Sequence, residues 1–244
     1  MKVGLFVPCY IDQLYPQVGK ASLELLEKTE CEVIFLEDIL CCGQPMDNSG
    51  FQHYTDKNNY ATPFLEALPK IDYLVVPSAS CAYHLTHHLL KEKTGRDQLD
   101  KIREITEFLH DLKPNVTLGS HFPHRVGLHE SCHGLRGLEL AKASELGGSG
   151  FSKIENLLNK VHCLELVKPS MCDECCGFGG SFSVFENAIS VRMGEDKMKN
   201  VQEEALEFLT ATDMSCLMHL EGVFNKNNAG IKVLHITEIL NSQL

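Results

Sequence analysis

A triplet of two adjacent cysteines followed by glycine occurs twice in the chain, at residues 41–43 and at residues 175–177. Other cysteines and a histidine keep the same order around each copy. The paired positions are Cys9 and Cys132, Cys41 and Cys175, Cys42 and Cys176, Cys81 and Cys216, and His84 and His219. Landmarks that recur in one order at long spacing indicate an internal duplication. The chain is therefore predicted to fold as two related halves, with an insertion near residues 147–150, where glycines cluster.

Short apolar runs alternate with amphipathic segments in both halves. Residues 3–7, 31–36 and 71–77 are typical of buried strands, and residues 125–128 restart the pattern. Pro16–Lys28 carries its apolar residues on one helical face. Alternating strands and helices predict an α/β fold, and we expect two duplicated, doubly wound, mostly parallel halves.

The remaining segments are assigned with the same rules. Residues 100–112 and 181–209 are predicted to be helical, and residues 210–215 and 231–236 are predicted to be strands. The predicted boundaries are residues 1–115 for the first half, 116–124 for a connection and 125–244 for the second half.

The composition excludes several classes of partner and compartment. A net charge of −11 argues against nucleic-acid binding, which needs clustered cations to neutralise phosphates. The chain has no apolar stretch of about 18 residues and no secretory signal at its start, so we expect a cytoplasmic protein without an integral membrane segment. A reducing compartment disfavours disulfides, so the eleven cysteines favour metal ligation.

The duplicated cysteines follow predicted strands, and ligands of open parallel sheets bind outside the carboxyl ends of the strands. Each half supplies one cysteine after its first strand, a pair after its second and a Cys-x-x-His element after its third. Four thiolates per half suit an iron–sulfur cluster. The alternatives are a zinc-stabilised interaction module, with three cysteines and one histidine per half, and a thiol redox sensor, which the strain of a disulfide between adjacent cysteines disfavours.

Several residues outside the duplicated set bear on the site. Cys172 precedes Cys175 by three positions and is a candidate additional ligand. His84 and His219 are candidate ligands or hydrogen-bond donors to a metal centre, and His129 and His133 flank Cys132 as further candidate donors. We expect the two unpaired cysteines at positions 31 and 163 to be core packing residues.

The motifs resemble those of a known family. They are HESC ending at Cys132, CCGFGGSFSV starting at Cys175, CCGQP starting at Cys41, and the serine–cysteine elements at Cys81 and Cys216. On these motifs the whole chain resembles the CCG-domain proteins, whose cysteine-rich domain is also found in heterodisulfide reductase. The resemblance implies iron–sulfur ligation by the motif cysteines, with one or two clusters of the 4Fe–4S type and zinc as the alternative in one half.

The resemblance also implies a function and partners. It implies a cytosolic, electron-handling component of a three-protein system that oxidises L-lactate to pyruvate, although related chains serve glycolate and heterodisulfide systems. The chain lacks the C-x-x-C-x-x-C run of ferredoxins, so we expect other lactate-utilisation subunits, including a ferredoxin-type iron–sulfur protein, as partners. The family's fullest motif ends in Cys-x-x-Cys, whereas both motifs here end in histidine, which favours four-ligand over five-cysteine clusters.

Overall fold

The computed structural model describes residues 1–36, 38–147 and 150–243. The chain divides into two compact units, Met1–Val116 and Thr117–Leu244. The insertion predicted near residues 147–150 falls partly outside the described residues. No helix in the described ranges is both long enough and apolar enough to cross a bilayer.

The first unit alternates short strands with helices. Its strands are β1 (Lys2–Leu5), β2 (Glu32–Phe35), β3 (Tyr73–Val76) and β4 (Ile102–Glu104). Its helices are α1 (Cys9–Leu14), α2 (Pro16–Lys28), α3 (Gln44–Asn48), α4 (Gln52–Lys57), α5 (Thr62–Ala67), α6 (Ala79–His84), α7 (Arg96–Leu99) and α8 (Ile105–Leu112). A 3₁₀ turn at Leu68–Lys70 follows α5, and a π-helical turn at Leu85–Leu89 continues α6.

The strands of this unit form one parallel sheet in the order β2-β1-β3-β4. The register pairs Val3 with Val33 on one side of β1 and with Tyr73 on the other. Val3 and Leu5 are fully buried, as expected for a parallel strand with both faces covered. The direction of strand addition reverses between β1 and β3, which places a binding crevice outside their carboxyl ends.

The second unit repeats this topology. Its strands are β5 (Arg125–Leu128), β6 (Glu165–Val167), β7 (Phe208–Ala211) and β8 (Lys232–His235), in the parallel order β6-β5-β7-β8. Its helices are α9 (Lys153–Leu158), α10 (Phe182–Phe185), α11 (Asn187–Glu203), α12 (Met214–Lys226) and α13 (Ile236–Leu240). The remaining turns are π-helical at His133–Gly137 and 3₁₀ at Ser144–Leu146. The prediction of duplicated, parallel α/β halves is confirmed.

Three predicted elements, in two segments of the chain, are wrong in part. Residues 100–112 were expected to form one helix, but Ile102–Glu104 is strand β4, because its backbone pairs with the open edge of β3 and buries Ile102 and Glu104. The predicted helix at 181–209 and strand at 210–215 also shift. Strand β7 begins at Phe208 and ends at Ala211, since its register is set by pairing with β5 and β8 on both sides. Long-range pairing overrides the local pattern in both segments.

His235 provides a pH-dependent contribution to stability at the junction of β8 and α13. The side chain is fully buried and its Nδ1 atom accepts a hydrogen bond from the backbone N–H of Thr237 at 3.3 Å. Burial lowers the pKa of His235 to about 4. The unfolded chain therefore binds a proton between its ordinary pKa of about 6.5 and pH 4, whereas the folded chain does not.

We expect stability to decrease as the pH falls through this window, by about 3 kcal/mol from this histidine. In His235→Asn, which keeps an N-cap acceptor, that part of the pH dependence should disappear. The measurement is the denaturation midpoint between pH 7 and pH 4. His53→Asn, at an exposed position of α4, is the control and should follow the unsubstituted chain. Equal slopes for the unsubstituted chain and His235→Asn would contradict the assignment.

Candidate functional site

In the first unit, four cysteines from three connections meet at the carboxyl end of the sheet. We call Cys9, Cys41, Cys42 and Cys81 the first thiol site. Cys9 follows β1 and opens α1, the Cys41–Cys42 pair lies between β2 and α3, and Cys81 lies in the first turn of α6. These connections flank the point where the strand order reverses. The order of strands alone therefore brings together residues that are far apart in sequence.

The sulfur atoms of the first thiol site are in direct contact. The sulfurs of Cys42 and Cys81 are hydrogen-bonded at 3.3 Å, and both side chains are buried. Cys41 hydrogen-bonds with the thiols of Cys42 and Cys9. The backbone N–H of Gly43 also donates to the Cys41 sulfur at 3.3 Å. The four sulfurs thus form a chain in the order Cys9, Cys41, Cys42, Cys81.

The second unit contains the equivalent arrangement. We call Cys132, Cys175, Cys176 and Cys216 the second thiol site. The thiols of Cys132 and Cys176 donate hydrogen bonds to the Cys175 sulfur, and Cys176 also hydrogen-bonds with Cys216. The N–H groups of Gly177 and Phe178 lie 3.5 Å from the sulfurs of Cys175 and Cys176. Both units therefore present the same ordered chain of thiols.

In each thiol site, the contacts among the four sulfurs favour ionisation of one of them. Hydrogen bonds from Cys42 and Cys9 lower the pKa of the Cys41 thiol to about 3. Hydrogen bonds from Cys132 and Cys176 likewise lower the pKa of Cys175 to about 2. Cys9 and Cys132 donate these hydrogen bonds, and donating a proton to a neighbouring sulfur raises the pKa of each donor thiol. Since the thiolate is the form that ligates metals, each site has one donor prepared for ligation.

The glycine of each triplet is required by the backbone. Gly177 has φ of +93°, and a Cβ atom there would lie 2.7 Å from the carbonyl oxygen of Ser190. Gly43 has φ of +85°, with side-chain atoms of Thr55 and Tyr60 at 3.1 Å from the position of a Cβ. The left-handed turn directs successive sulfurs and N–H groups to one place. A residue with a side chain would adopt this backbone conformation only at a cost, whereas glycine adopts it readily.

The histidines of the two Cys-x-x-His elements differ in their contacts. His84 is buried, and its Nε2 atom lies 3.1 Å from a carboxylate oxygen of Asp47. Burial lowers the pKa of His84 to about 4, against the opposing effect of Asp47. The Nε2 atom of His219 instead lies 3.2 Å from the carbonyl oxygen of Ser190. These contacts hold both rings beside the thiols and favour a supporting role over ligation.

A third histidine lies closer to the sulfurs of the second thiol site. His129 is buried, and its Nδ1 atom lies 3.2 Å from the carbonyl oxygen of Cys172. Its Nε2 atom has no hydrogen-bond partner among the described residues. One ring nitrogen of His129 and the sulfurs of Cys176 and Cys216 all lie within 4.8 Å of one another. The corresponding position of the first unit is Phe6, so the two sites differ at this point.

Lys197 adds a cationic group that the sequence did not indicate. Its side chain is 3 % exposed, and its Nζ atom donates to the carbonyl oxygen of Met171. Burial lowers its pKa, and the thiols of Cys172 and Cys176 oppose this effect. Lys197 lies on the buried face of α11, whose other residues are small or apolar. A lysine on such a face is the feature of the sequence that could have indicated a buried cation.

The three cysteines outside the thiol chains have different environments. Cys172 is buried, and its pKa is raised to about 11 by burial and by Glu130. Its thiol therefore lies among charged groups beside the second thiol site. Cys31 is half-buried and accepts a hydrogen bond from the hydroxyl of Thr29 at 3.1 Å. Cys163 is exposed, so the expectation that it packs in the core is wrong.

The donor set fits a metal ion or an iron–sulfur cluster. Thiolates are soft ligands, and backbone N–H groups directed at their sulfurs stabilise negative charge. A buried imidazole nitrogen without a hydrogen-bond partner is unfavourable, and a bound metal centre would provide one for His129. The clustered cysteines thus support metal or iron–sulfur binding in both units.

Comparison with known proteins agrees with this geometry. The model of the "Cysteine-rich domain" (CCG) family matches the chain twice, at residues 3–86 and 126–221. Lactate utilization protein A of Oceanobacillus iheyensis is 37% identical over 249 residues, which cover 99% of this chain and 97% of that protein. The protein of the same name from Geobacillus thermodenitrificans is 37% identical, with 99% of both chains covered.

A third relative, Lactate utilization protein A of Bacillus pumilus, is 36% identical over the full length of both chains. The two matches of the family model each contain one complete thiol site. On its motifs, its duplicated fold and its relatives, the chain belongs to the CCG cysteine-rich domain family.

Proposed function

We propose that this protein is an iron–sulfur electron-transfer subunit of a multi-protein oxidoreductase that oxidises L-lactate to pyruvate. The observation that carries the proposal is the ordered chain of four contacting sulfurs, present once in each unit. The proposed ligands are Cys9, Cys41, Cys42 and Cys81 in the first site, and Cys132, Cys175, Cys176 and Cys216 in the second. The names of the relatives support lactate utilisation as the setting.

The chemistry divides between this chain and its partners. Oxidation of L-lactate to pyruvate releases two electrons and two protons, and a bound iron–sulfur cluster supplies a one-electron redox couple. The cysteines of this chain hold the centre, while the N–H groups of Gly43 and Gly177 donate towards Cys41 and Cys175 and stabilise negative charge on sulfur. Partner subunits, including a ferredoxin-type protein, supply the substrate site and the next electron carriers.

A specific observation favours zinc as the alternative in the second unit. The close group of His129, Cys176 and Cys216 combines imidazole nitrogen with sulfur, which is a typical donor set for structural zinc. The first unit has Phe6 at the position of His129, so the same argument does not apply there. A centre with zinc is redox-silent, and the second unit would then be an interaction module.

The test is anaerobic purification followed by quantification of iron, acid-labile sulfide and zinc, with electronic and paramagnetic resonance spectra. We expect brown protein with about four iron atoms for each occupied site. We also expect the isolated chain to be unable to oxidise lactate with an artificial acceptor. Zinc without iron would overturn the electron-transfer proposal, and turnover by the isolated chain would contradict the division of labour.

A further inference from the structure

A group of metal-ligating side chains lies outside both thiol sites, in the second unit. His121, His162 and Cys163 each place one donor atom within 4.8 Å of the other two. His121 is half-buried, and His162 and Cys163 are exposed. The proposed function assigns no role to these residues. We infer that His121, His162 and Cys163 form a surface site for a divalent zinc ion, with water completing the coordination.

The backbone holds the two histidines side by side. His121 and His162 form a parallel bridge between the segment before β5 and the turn before β6. The N–H of His162 donates to Ser120 at 2.9 Å, and the N–H of Phe122 donates to His162 at 3.0 Å. Partners in such a bridge project their side chains to the same face. The imidazole rings accordingly stack with centroids 5.3 Å apart and an angle of 26° between their planes.

A left-handed residue brings the thiol to the same face. Successive residues of an extended segment normally project to opposite sides. Cys163 has φ of +62°, which interrupts that alternation directly after His162. Its sulfur lies 3.0 Å from the Nδ1 atom of His162. A left-handed conformation is unfavourable for a residue other than glycine, and it persists here where it places a soft donor beside two imidazoles.

The donor types and spacing select the ion. Imidazole nitrogen and thiolate sulfur are typical zinc ligands, whereas calcium and magnesium prefer oxygen. Tetrahedral zinc, with bonds of about 2.0–2.3 Å, separates its ligands by roughly 3.3–3.6 Å. The observed group approaches that spacing, and small side-chain rotations complete it. Three protein donors leave one position for water. The bound ion would fix the segment before β5 to the turn before β6.

The experiment uses the full chain with iron loaded anaerobically, so that zinc uptake at the thiol sites is minimised. Zinc is titrated by competition with a chromogenic chelator in the unsubstituted protein, His121→Asn, His162→Asn and Cys163→Ser. We expect one additional zinc equivalent in the unsubstituted protein, and at least tenfold weaker binding of that equivalent in each variant. Zinc should also raise the thermal midpoint of the unsubstituted protein more than that of the variants.

Two matched controls complete the design. His53→Asn and Cys31→Ser carry the same substitutions outside the group and should bind zinc like the unsubstituted protein. Unchanged zinc binding in the three variants would overturn the site. A loss in Cys163→Ser alone would also overturn it, because both histidines are proposed ligands. Iron content should be the same in all variants, so a loss of zinc binding confined to the three variants is assigned to the surface group and not to the thiol sites.

Discussion

Replacement of Cys176 by serine is expected to remove all the iron and sulfide of the second thiol site. Cys176 is 3 % exposed and lies between Cys175 and Cys216 in the chain of sulfurs. Serine has nearly the same shape, but its hydroxyl remains protonated and is a poor soft ligand. The measurement is iron and sulfide per chain after anaerobic purification, together with the intensity of the visible absorption.

The duplication provides an internal comparison for this prediction. Cys42→Ser changes the equivalent position of the first thiol site and should remove the iron held by that unit. Cys31→Ser makes the same chemical change at a cysteine outside both sites and should leave the iron content unchanged. Iron content that stays at the unsubstituted value in Cys176→Ser would show that Cys176 is not an essential ligand.

The second large effect is expected for Gly177→Ala. The substitution is unfavourable for two reasons. The backbone at Gly177 is left-handed, and the added Cβ would lie too close to two atoms of α11, at 2.9 Å from the Cβ of Met193 and 2.7 Å from the Ser190 carbonyl oxygen. The left-handed conformation and the forced displacement of α11 together should cost about 2–4 kcal/mol. Because the same turn directs the sulfurs of Cys175 and Cys176, we also expect loss of metal from the second site.

Gly180→Ala separates the two contributions. Gly180 has φ of +62°, but a Cβ there would have no heavy atom within 4 Å. Its substitution should therefore cost about 1 kcal/mol from backbone conformation alone and leave the metal content intact. The measurements are the denaturation midpoint and the iron content of both variants. Equal effects of the two substitutions would contradict a steric role for the contact with α11.

The duplication made much of the fold predictable. The repeated order of cysteines indicated two halves, and the apolar runs located β1, β3 and β5 to within a few residues. Strand β4 was missed because its three residues lie in a charged segment and become a strand by pairing with β3. The start of β7 was misplaced for a related reason, since its ends are fixed by β5 and β8.

The sequence by itself determined which cysteines are grouped, because each duplicated cysteine follows a strand and parallel strands end at a common edge. Only the tertiary structure decided what surrounds the sulfurs. The buried His129 and Lys197, and the pairing of His84 with Asp47, depend on contacts between elements that are distant along the chain. The tertiary structure also decided that Cys163 lies at the surface beside two histidines. Sequence motifs encode the order of strand ends, whereas burial and side-chain proximity arise only when the sheet and its helices pack.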